Sequence, residues 1–398
     1  MEGAVSAHLR SARISLGKPF SGESSNYYML LGTTLFLVVL GLVMVLSSSS
    51  VEALSDGENS FTHFIKQGGF ALIGIPAMLI VAHFPAHWWR KLAWPALGLA
   101  AIIQLLVFTP LGYGYGGNQN WISIGPSFSM QPSELVKLAL VIWLGLVLST
   151  KRELLKDWKH AVIPVAPVAV VAIGIVLFGK DLGTAIIMAA IVLGALFFAG
   201  VRLKHLAVGA GGAAIIGGLL STASSSRQDR IGAWLNGCSE DYMNTCWQIT
   251  HGTWALASGG IFGVGLGNSK AKWSWLPEAD NDFIFAIIGE ELGLVGAIVV
   301  LLLFIVLAVV FIRVITSNPD PFAKITCSAI MVWVIGQAFV NIAVILGVLP
   351  VLGVPLPLIS SGGSALITTL VAIGIVLSFA RSTPAPATPS RTRLGAVS

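Results

Sequence analysis

The sequence predicts an all-α integral membrane protein, a polytopic bundle of about ten transmembrane helices with a long extracytoplasmic loop between spans 7 and 8. Three observations predict it. Of the 398 residues 55% are hydrophobic and only 10% charged, with a mean hydropathy of +0.86, whereas soluble domains carry about 25% charged residues. The apolar residues gather into runs close to the roughly 20 residues that a spanning helix needs. The basic residues also divide unevenly between the two sides of those runs. Lipid offers the backbone no hydrogen-bond partner, so each run must satisfy its own groups, and an all-helical bundle follows.

The spans fall at about 28–47, 66–83, 93–110, 134–149, 161–178, 184–200, 205–220, 284–312, 324–348 and 364–380. The first run is as long as a span and lacks a small-residue cleavage site, so it is not read as a cleaved signal peptide. With the N-terminus inside, 16 of the 23 Lys and Arg lie on the inner side and 13 of the 18 Asp and Glu on the outer side. This places both termini in the cytoplasm. The organisation is then a disordered cytoplasmic tail over 1–27, a ten-span region over 28–380 with its outer loop at 221–283, and a Pro-rich cytoplasmic tail over 381–398. Short inner connections leave little room for a catalytic domain. No Walker-type phosphate loop and no His/Cys metal spacing occurs, which weighs against ATP-driven transport by this chain alone. The net charge of +5 is small, and no nucleic-acid partner is expected.

The outer side carries the unusual residues. In the Gly- and Tyr-rich loop 111–133, Trp121 suits a sugar face or the aromatic belt of the interface. Gln131 and Ser133 lead through Pro132 into the fourth span, where Glu134 and Lys137 share one helix face. That pair reads either as a lock between helices or as the wall of a polar cavity. Asp181 or Thr184 caps the sixth span, and Lys180 beside them can meet a phosphate as a point charge.

Arg227 and Arg230 open the long outer loop, where Cys238 and Cys246 are candidates for a disulfide. Cys327, inside a span, reads as a small apolar residue. The glycine series from Gly259 to Gly267 reads as a loop dipping into the interface or as a flexible linker. Gln337 and Asn341 read as interhelical hydrogen bonds. The last outer turn, with three prolines and with Ser360, Gly362 and Gly363, reads as non-helical backbone near membrane depth, which needs protein or a wet cavity beside it. Finally, Glu278, Asp280, Asp282, Glu290 and Glu291 place five carboxylates within fourteen positions at the entrance of the eighth span. Acids there are costly and mark function. Gathered over one cavity, these segments suit a substrate with a polar head and a lipid tail. A carboxylate can serve as general base, and Lys137, Lys180 and Arg230 can balance an anionic head group.

The stretch from Trp275 to Gly293, with Asn120-Trp121-Ile, Gln131 to Glu134, Asp181 to Thr184 and Pro355 to Ser364, resembles the motifs of the SEDS family of cell-wall polymerases. They stand in the family's order, and the resemblance covers nearly the whole ten-span region. Within the family the chain is more similar to the division member than to the elongation member. The resemblance implies a peptidoglycan glycosyltransferase that polymerises lipid II outside the bacterial cytoplasmic membrane, at the division septum. Asp282 matches the essential acid, which would activate the acceptor sugar hydroxyl. The substrate-binding set expected around it is Trp121, Gln131, Ser133 and Glu134 at the fourth span, the cations Lys137, Lys180 and Arg230, then Glu278, and Ser360, Gly362 and Gly363 in the last turn. A divalent cation (Mg or Mn) is implied, with no ligands assigned. So are lipid II, a class B penicillin-binding transpeptidase and other divisome membrane proteins as partners.

Four positions depart from the family pattern: Asp280 replaces a common His, Asn120 a frequent Arg, Lys180 a common Pro and Ser361 a usual aromatic. None is Asp282, so the reaction class stands while the roles of individual cations weaken. A lipid II flippase would use the same cavity but should carry polar residues on to the inner face. A non-catalytic divisome scaffold would not require the outer carboxylates. The outward gathering of unusual residues favours the enzyme.

Overall fold

The computed structural model describes residues 24–381 except positions 56, 58, 116, 117, 124–128, 156, 223, 224, 237–245 and 274. Nearly all of both expected tails lies outside the described residues, as does Cys238. Seven helices run first: α1 (Ser25–Ser55), α2 (Thr62–Val81), α3 (Ala86–Leu105), α4 (Pro132–Thr150), α5 (Trp158–Phe178), α6 (Leu182–Phe198) and α7 (Leu203–Ser221). The outer segment then forms α8 (Ser225–Leu235) and α9 (Trp247–Ser258), before α10 (Ile284–Ser317), α11 (Pro321–Met331), α12 (Gln337–Ile345) and α13 (Gly363–Arg381). A π-helical turn, Val332–Gly336, joins α11 to α12. Among the described residues nine segments are long and apolar enough to cross a membrane, and α6, at 17 residues, is a shorter apolar helix. A helix stands at each of the ten expected positions, in order.

Side-chain caps fix several starts. Asp157, Asp181 and Asp320 each accept a backbone N–H in the first turn of α5, α6 and α11, satisfying one of the orphan donors there. Helices α4 and α13 are buried on most faces and form the centre. By contrast α7 buries only Ser221. A helix apolar all round and packed on so little protein turns its side chains to lipid.

Three expectations need correction. The loop 111–133 contains an antiparallel sheet, β1 (Gly112–Tyr115), β2 (Asn118–Ser123) and β3 (Ser129–Met130), in the order β1-β2-β3. All-helical structure is required only within lipid, and this segment lies beyond the helix ends. The third span begins at Ala86 and not at about 93, because extended Pro85 starts it and Pro95 is absorbed inside, and it runs to Phe108. Trp89 in its first turn is buried. The long outer connection is not a plain loop, since it carries α8 and α9.

The eighth span is broken. Gly293 takes φ 70° and ψ −168° inside α10, which frees backbone groups on either side. The glycine series satisfies them: Val264 and Gly265 donate N–H groups to the carbonyls of Glu290 and Glu291, both at 3.0 Å, while Leu294 and Val295 donate to the carbonyls of Gly260 and Ile261 at 2.9 and 3.1 Å. A Cβ at Gly259 would run into the Gly289 carbonyl, and one at Gly263 into that of Glu291. These glycines permit backbone-to-backbone contact that a Cβ would block. They are a docked segment, not a flexible linker.

Candidate active site

Asp282 sits in the turn that ends at buried Phe283, just before α10. Glu278 begins the turn in the left-handed region, φ 57°, a strained conformation for a residue with a Cβ. Its carbonyl accepts from the N–H groups of Asn281 and Phe283, both at 3.1 Å, and its carboxylate accepts from Asn281 Nδ2 at 3.2 Å. Three successive carbonyls of the turn are then gripped from outside it. The Ser361 N–H donates to Asp280 O at 2.9 Å, Ser360 Oγ to Asn281 O at 2.7 Å, and Asn341 Nδ2 to Asp282 O at 2.7 Å. Asn341 also reaches Val354 O at 2.8 Å, and Ser360 Oγ accepts from Leu356 N at 2.8 Å. The ninth span and the last outer turn therefore set the position of the Asp282 backbone.

The Asp282 side chain is treated differently. Among the described residues its carboxylate accepts no hydrogen bond, and it is half-buried. Gly353, at φ 68°, comes so near that a Cβ there would stand 3.5 Å from Asp282 Oδ2. Desolvation by the surrounding protein pushes the carboxyl up to about 7, helped by the negative charges of Glu278, Asp181 and Asp280 and opposed by Arg230. A poised, unpartnered carboxylate of that kind is what a general base near neutral pH requires.

The remaining expected residues fall into two groups. Asp181 ties β2, the entry to α4 and the start of α6 into one knot. It accepts from Asn120 Nδ2 at 3.0 Å, Gln131 Nε2 at 2.9 Å, and the N–H and hydroxyl of Thr184, both at 2.9 Å. Gln131 N–H also donates to Ser364 Oγ at 3.0 Å. Gly362 N–H donates to Gln67 Oε1 at 3.3 Å, and Gly363 lies against the Phe70 ring with no room for a side chain. Gln131, Ser360, Gly362 and Gly363 are thus committed to holding the outer segments together.

Lys137 and Glu134 are buried and paired at 2.8 Å. Lys137 Nζ also donates to Gln337 Oε1 at 3.0 Å and lies over the Trp333 ring at 4.9 Å. Its charge is spent inside the bundle, so the geometry favours the locking role over contact with a head group. The second group is not committed in this way. Trp121 stacks on Tyr113 with centroids 6.5 Å apart, and the Ser133 hydroxyl is buried without a partner among the described residues. Lys180 is exposed at φ 63°, its carbonyl held by Arg227 Nη2 at 2.5 Å. Arg230 is half-buried near Asp282 and forms no ion pair among the described residues.

Glu290 and Glu291 do a separate job. Glu290 accepts from Ser269 Oγ at 2.5 Å and from the N–H groups of Lys270 and Ala271. Glu291 accepts from Ser47 Oγ and from Lys272 Nζ at 3.4 Å. They pin the segment after the glycine series to α1 and α10. His63, Gln67 and Lys272 also carry weight in this region and had no motif to announce them.

Among the described residues no three His, Cys, Asp or Glu side chains converge to hold a metal ion. The described residues by themselves build no cage for the divalent cation that the resemblance implies. Cys246 is buried and disulfide-bonded, whereas Cys327 is a free thiol. Cys246 should resist alkylation in the native protein until a reductant is added, which mass spectrometry after thiol labelling reads directly.

With this geometry in hand, the comparisons are informative. The model of the FtsW, RodA and SpoVE cell cycle proteins matches residues 27–384. A Mycobacterium tuberculosis protein named probable peptidoglycan glycosyltransferase FtsW is 37% identical over 370 residues, covering 93% of this chain and 70% of the relative. Stage V sporulation protein E of Bacillus subtilis is 36% identical over 361 residues, covering 90% and 98%. A chain solved in a study of how a peptidoglycan synthase complex coordinates polymerization and crosslinking superposes with a TM-score of 0.73 at 26% identity, over 88% of this chain and 96% of that one. The Thermus thermophilus rod shape determining protein RodA shares the fold, with a TM-score of 0.67 at 24% identity over 92% and 98% of the two chains.

Proposed function

The chain belongs to the SEDS family of FtsW, RodA and SpoVE cell cycle proteins, and we infer that it is a peptidoglycan glycosyltransferase of septal wall synthesis, with Asp282 as its general base. The observation that carries the assignment of the base is the contrast at the outer turn. The Asp282 backbone is fixed by α12 and the last outer turn, while its carboxylate is left without a partner among the described residues and raised to about 7.

In the proposed step the acceptor sugar hydroxyl of lipid II or the growing strand attacks the donor's anomeric carbon. Its proton passes to Asp282. The new carbon–oxygen bond forms as the bond to the diphosphate-lipid breaks, and the electron pair leaves on the diphosphate. Arg230 and exposed Lys180 supply positive charge where that anion develops. Trp121 offers a flat apolar face to a sugar ring. The chain is a multi-pass membrane protein. The proposal places both termini in the cytoplasm and the protein at the septum, with a class B penicillin-binding transpeptidase as its partner. The complex named for coordinating polymerization with crosslinking supports that choice of partner.

The test is the rate of lipid II polymerisation by the purified protein with its transpeptidase as a function of pH. The ionised form of Asp282 is the active one, so the rate should fall as pH drops below about 7. A limb near pH 4, the ordinary carboxylate range, would show that burial does not raise the Asp282 carboxyl, and a limb that stays in Asp282→Asn would remove Asp282 from the role of base. Absence of polymer at every pH would remove the activity itself.

A further inference from the structure

We propose that His63 is a positioning residue for the transfer: from the first turn of α2 it holds the Asp280 carboxylate and, through it, the turn that carries Asp282. The inference deepens the reading of that site as the glycosyltransferase centre and rests on it. His63 Nδ1 lies 3.1 Å from Asp280 Oδ2. The Asp280 side chain is only 10% exposed and the His63 side chain 28%, so the pair is largely shielded from water.

The contact is one of two on the same face of α2. Gln67, one helical turn further on, donates from Nε2 to Ser360 O at 3.0 Å and accepts from Gly362 N–H at 3.3 Å. Ser360 and Ser361 in turn hold the carbonyls of Asn281 and Asp280. Thus α2 grips the catalytic turn directly through His63 and indirectly through Gln67. The helix is a firm base for this. A Cβ on Gly74 would stand 2.7 Å from Leu370 of α13, and Gly363 admits no side chain beside Phe70.

A neutral hydrogen-bond donor would position Asp280 equally well. Histidine adds charge. The charged groups that bear on Asp282 are Glu278 and Asp280 of its own turn, Asp181 at the start of α6, and Arg230 of α8. From α12 the contact is neutral Asn341. Three acids therefore face one arginine. When protonated, His63 offsets the charge of Asp280 across their 3.1 Å contact, which favours the ionised form of Asp282. Without it, a nearly buried carboxylate loses its partner and its field falls on the base.

The experiment compares pH profiles of lipid II polymerisation for wild type, His63→Ala, His63→Gln, Asp280→Asn and the double variant His63→Ala/Asp280→Asn. His63→Ala should move the acid limb to higher pH by about 0.5–1 unit and lower the plateau rate. His63→Gln, which keeps a hydrogen bond without charge, should keep the plateau and still move the limb. Asp280→Asn should move it to lower pH, and the double variant should follow Asp280→Asn. Carbodiimide modification of Asp282 against pH reads the same shifts without turnover, so they are measurable even if the assigned activity is wrong. An unmoved limb and labelling profile in His63→Ala and His63→Gln, even with a lowered melting temperature, would overturn the proposal. Equal and additive shifts from His63 and Asp280 would do the same.

Discussion

Replacing Asp282 with Asn is expected to lower lipid II polymerisation by about 10³-fold, within the usual range for loss of a positioned base, while raising thermal stability above pH 7. Asparagine has the same shape, and the contact that places the residue uses its backbone carbonyl, so the turn keeps its geometry. The stability gain follows from the sign of the shift. The folded protein holds the Asp282 proton up to about 7, whereas the unfolded chain releases it near 3.8. Ionised Asp282 therefore costs the fold stability, by an amount that grows from pH 4 to pH 7 and levels off above. Asparagine removes that cost, so the gain in melting temperature should be larger at pH 8 than at pH 5. Lost activity with gained stability is the mark of a group kept for function. Full polymerisation by the variant would exclude Asp282 as the base. Lipid II translocation that survives the substitution, with no polymer from either form, would support a flippase instead.

What the sequence could and could not reveal follows from the range of each interaction. Helices in lipid are dictated locally, because composition and length decide them, so all ten spans were legible from hydropathy. The break in α10 was not. Gly293 lies inside an apolar run that looks continuous, and only the carbonyls released there show why glycines recur at 259–265. Asp282 stood out through the density of acids around it, and motif resemblance separated it from its neighbours. Its supports did not stand out, since Asn341 and Ser360 act on backbone carbonyls 59 and 79 positions away, and a carbonyl carries no sequence signal. Lys137 shows the same limit. Its partner Gln337 is 200 positions distant, so sequence spacing found Glu134 and left the choice between lock and cavity open.

Lys272→Met is expected to destabilise the protein by ~3–5 kcal/mol, the usual loss when one partner of a buried ion pair is removed. The Lys272 and Glu291 side chains are 3% and 0% exposed, so the variant leaves a buried carboxylate without its counter-charge, held only by Ser47 Oγ and the Ser269 N–H. Lys272 Nζ also donates to the carbonyls of Gly267 and Ser47 at 2.6 and 3.2 Å. Those bonds join the end of the glycine series to α1. Adding Glu291→Gln should recover much of the loss, because the neutral amide no longer requires a counter-charge, although the two carbonyls stay unmet. The consequence for function runs through α10. Its first segment, from Ile284 to Leu292, begins two residues after Asp282 and is kept in place across the Gly293 break by the docked glycines. If that docking fails, the turn loses its support on one side while Asn341 and Ser360 still hold the other. Polymerisation should then fall in Lys272→Met and return in part with the double variant, in step with the melting temperature. A Lys272→Met protein that melts like wild type would show that the pair contributes no net stability and that the backbone bonds alone hold the glycine segment across the break.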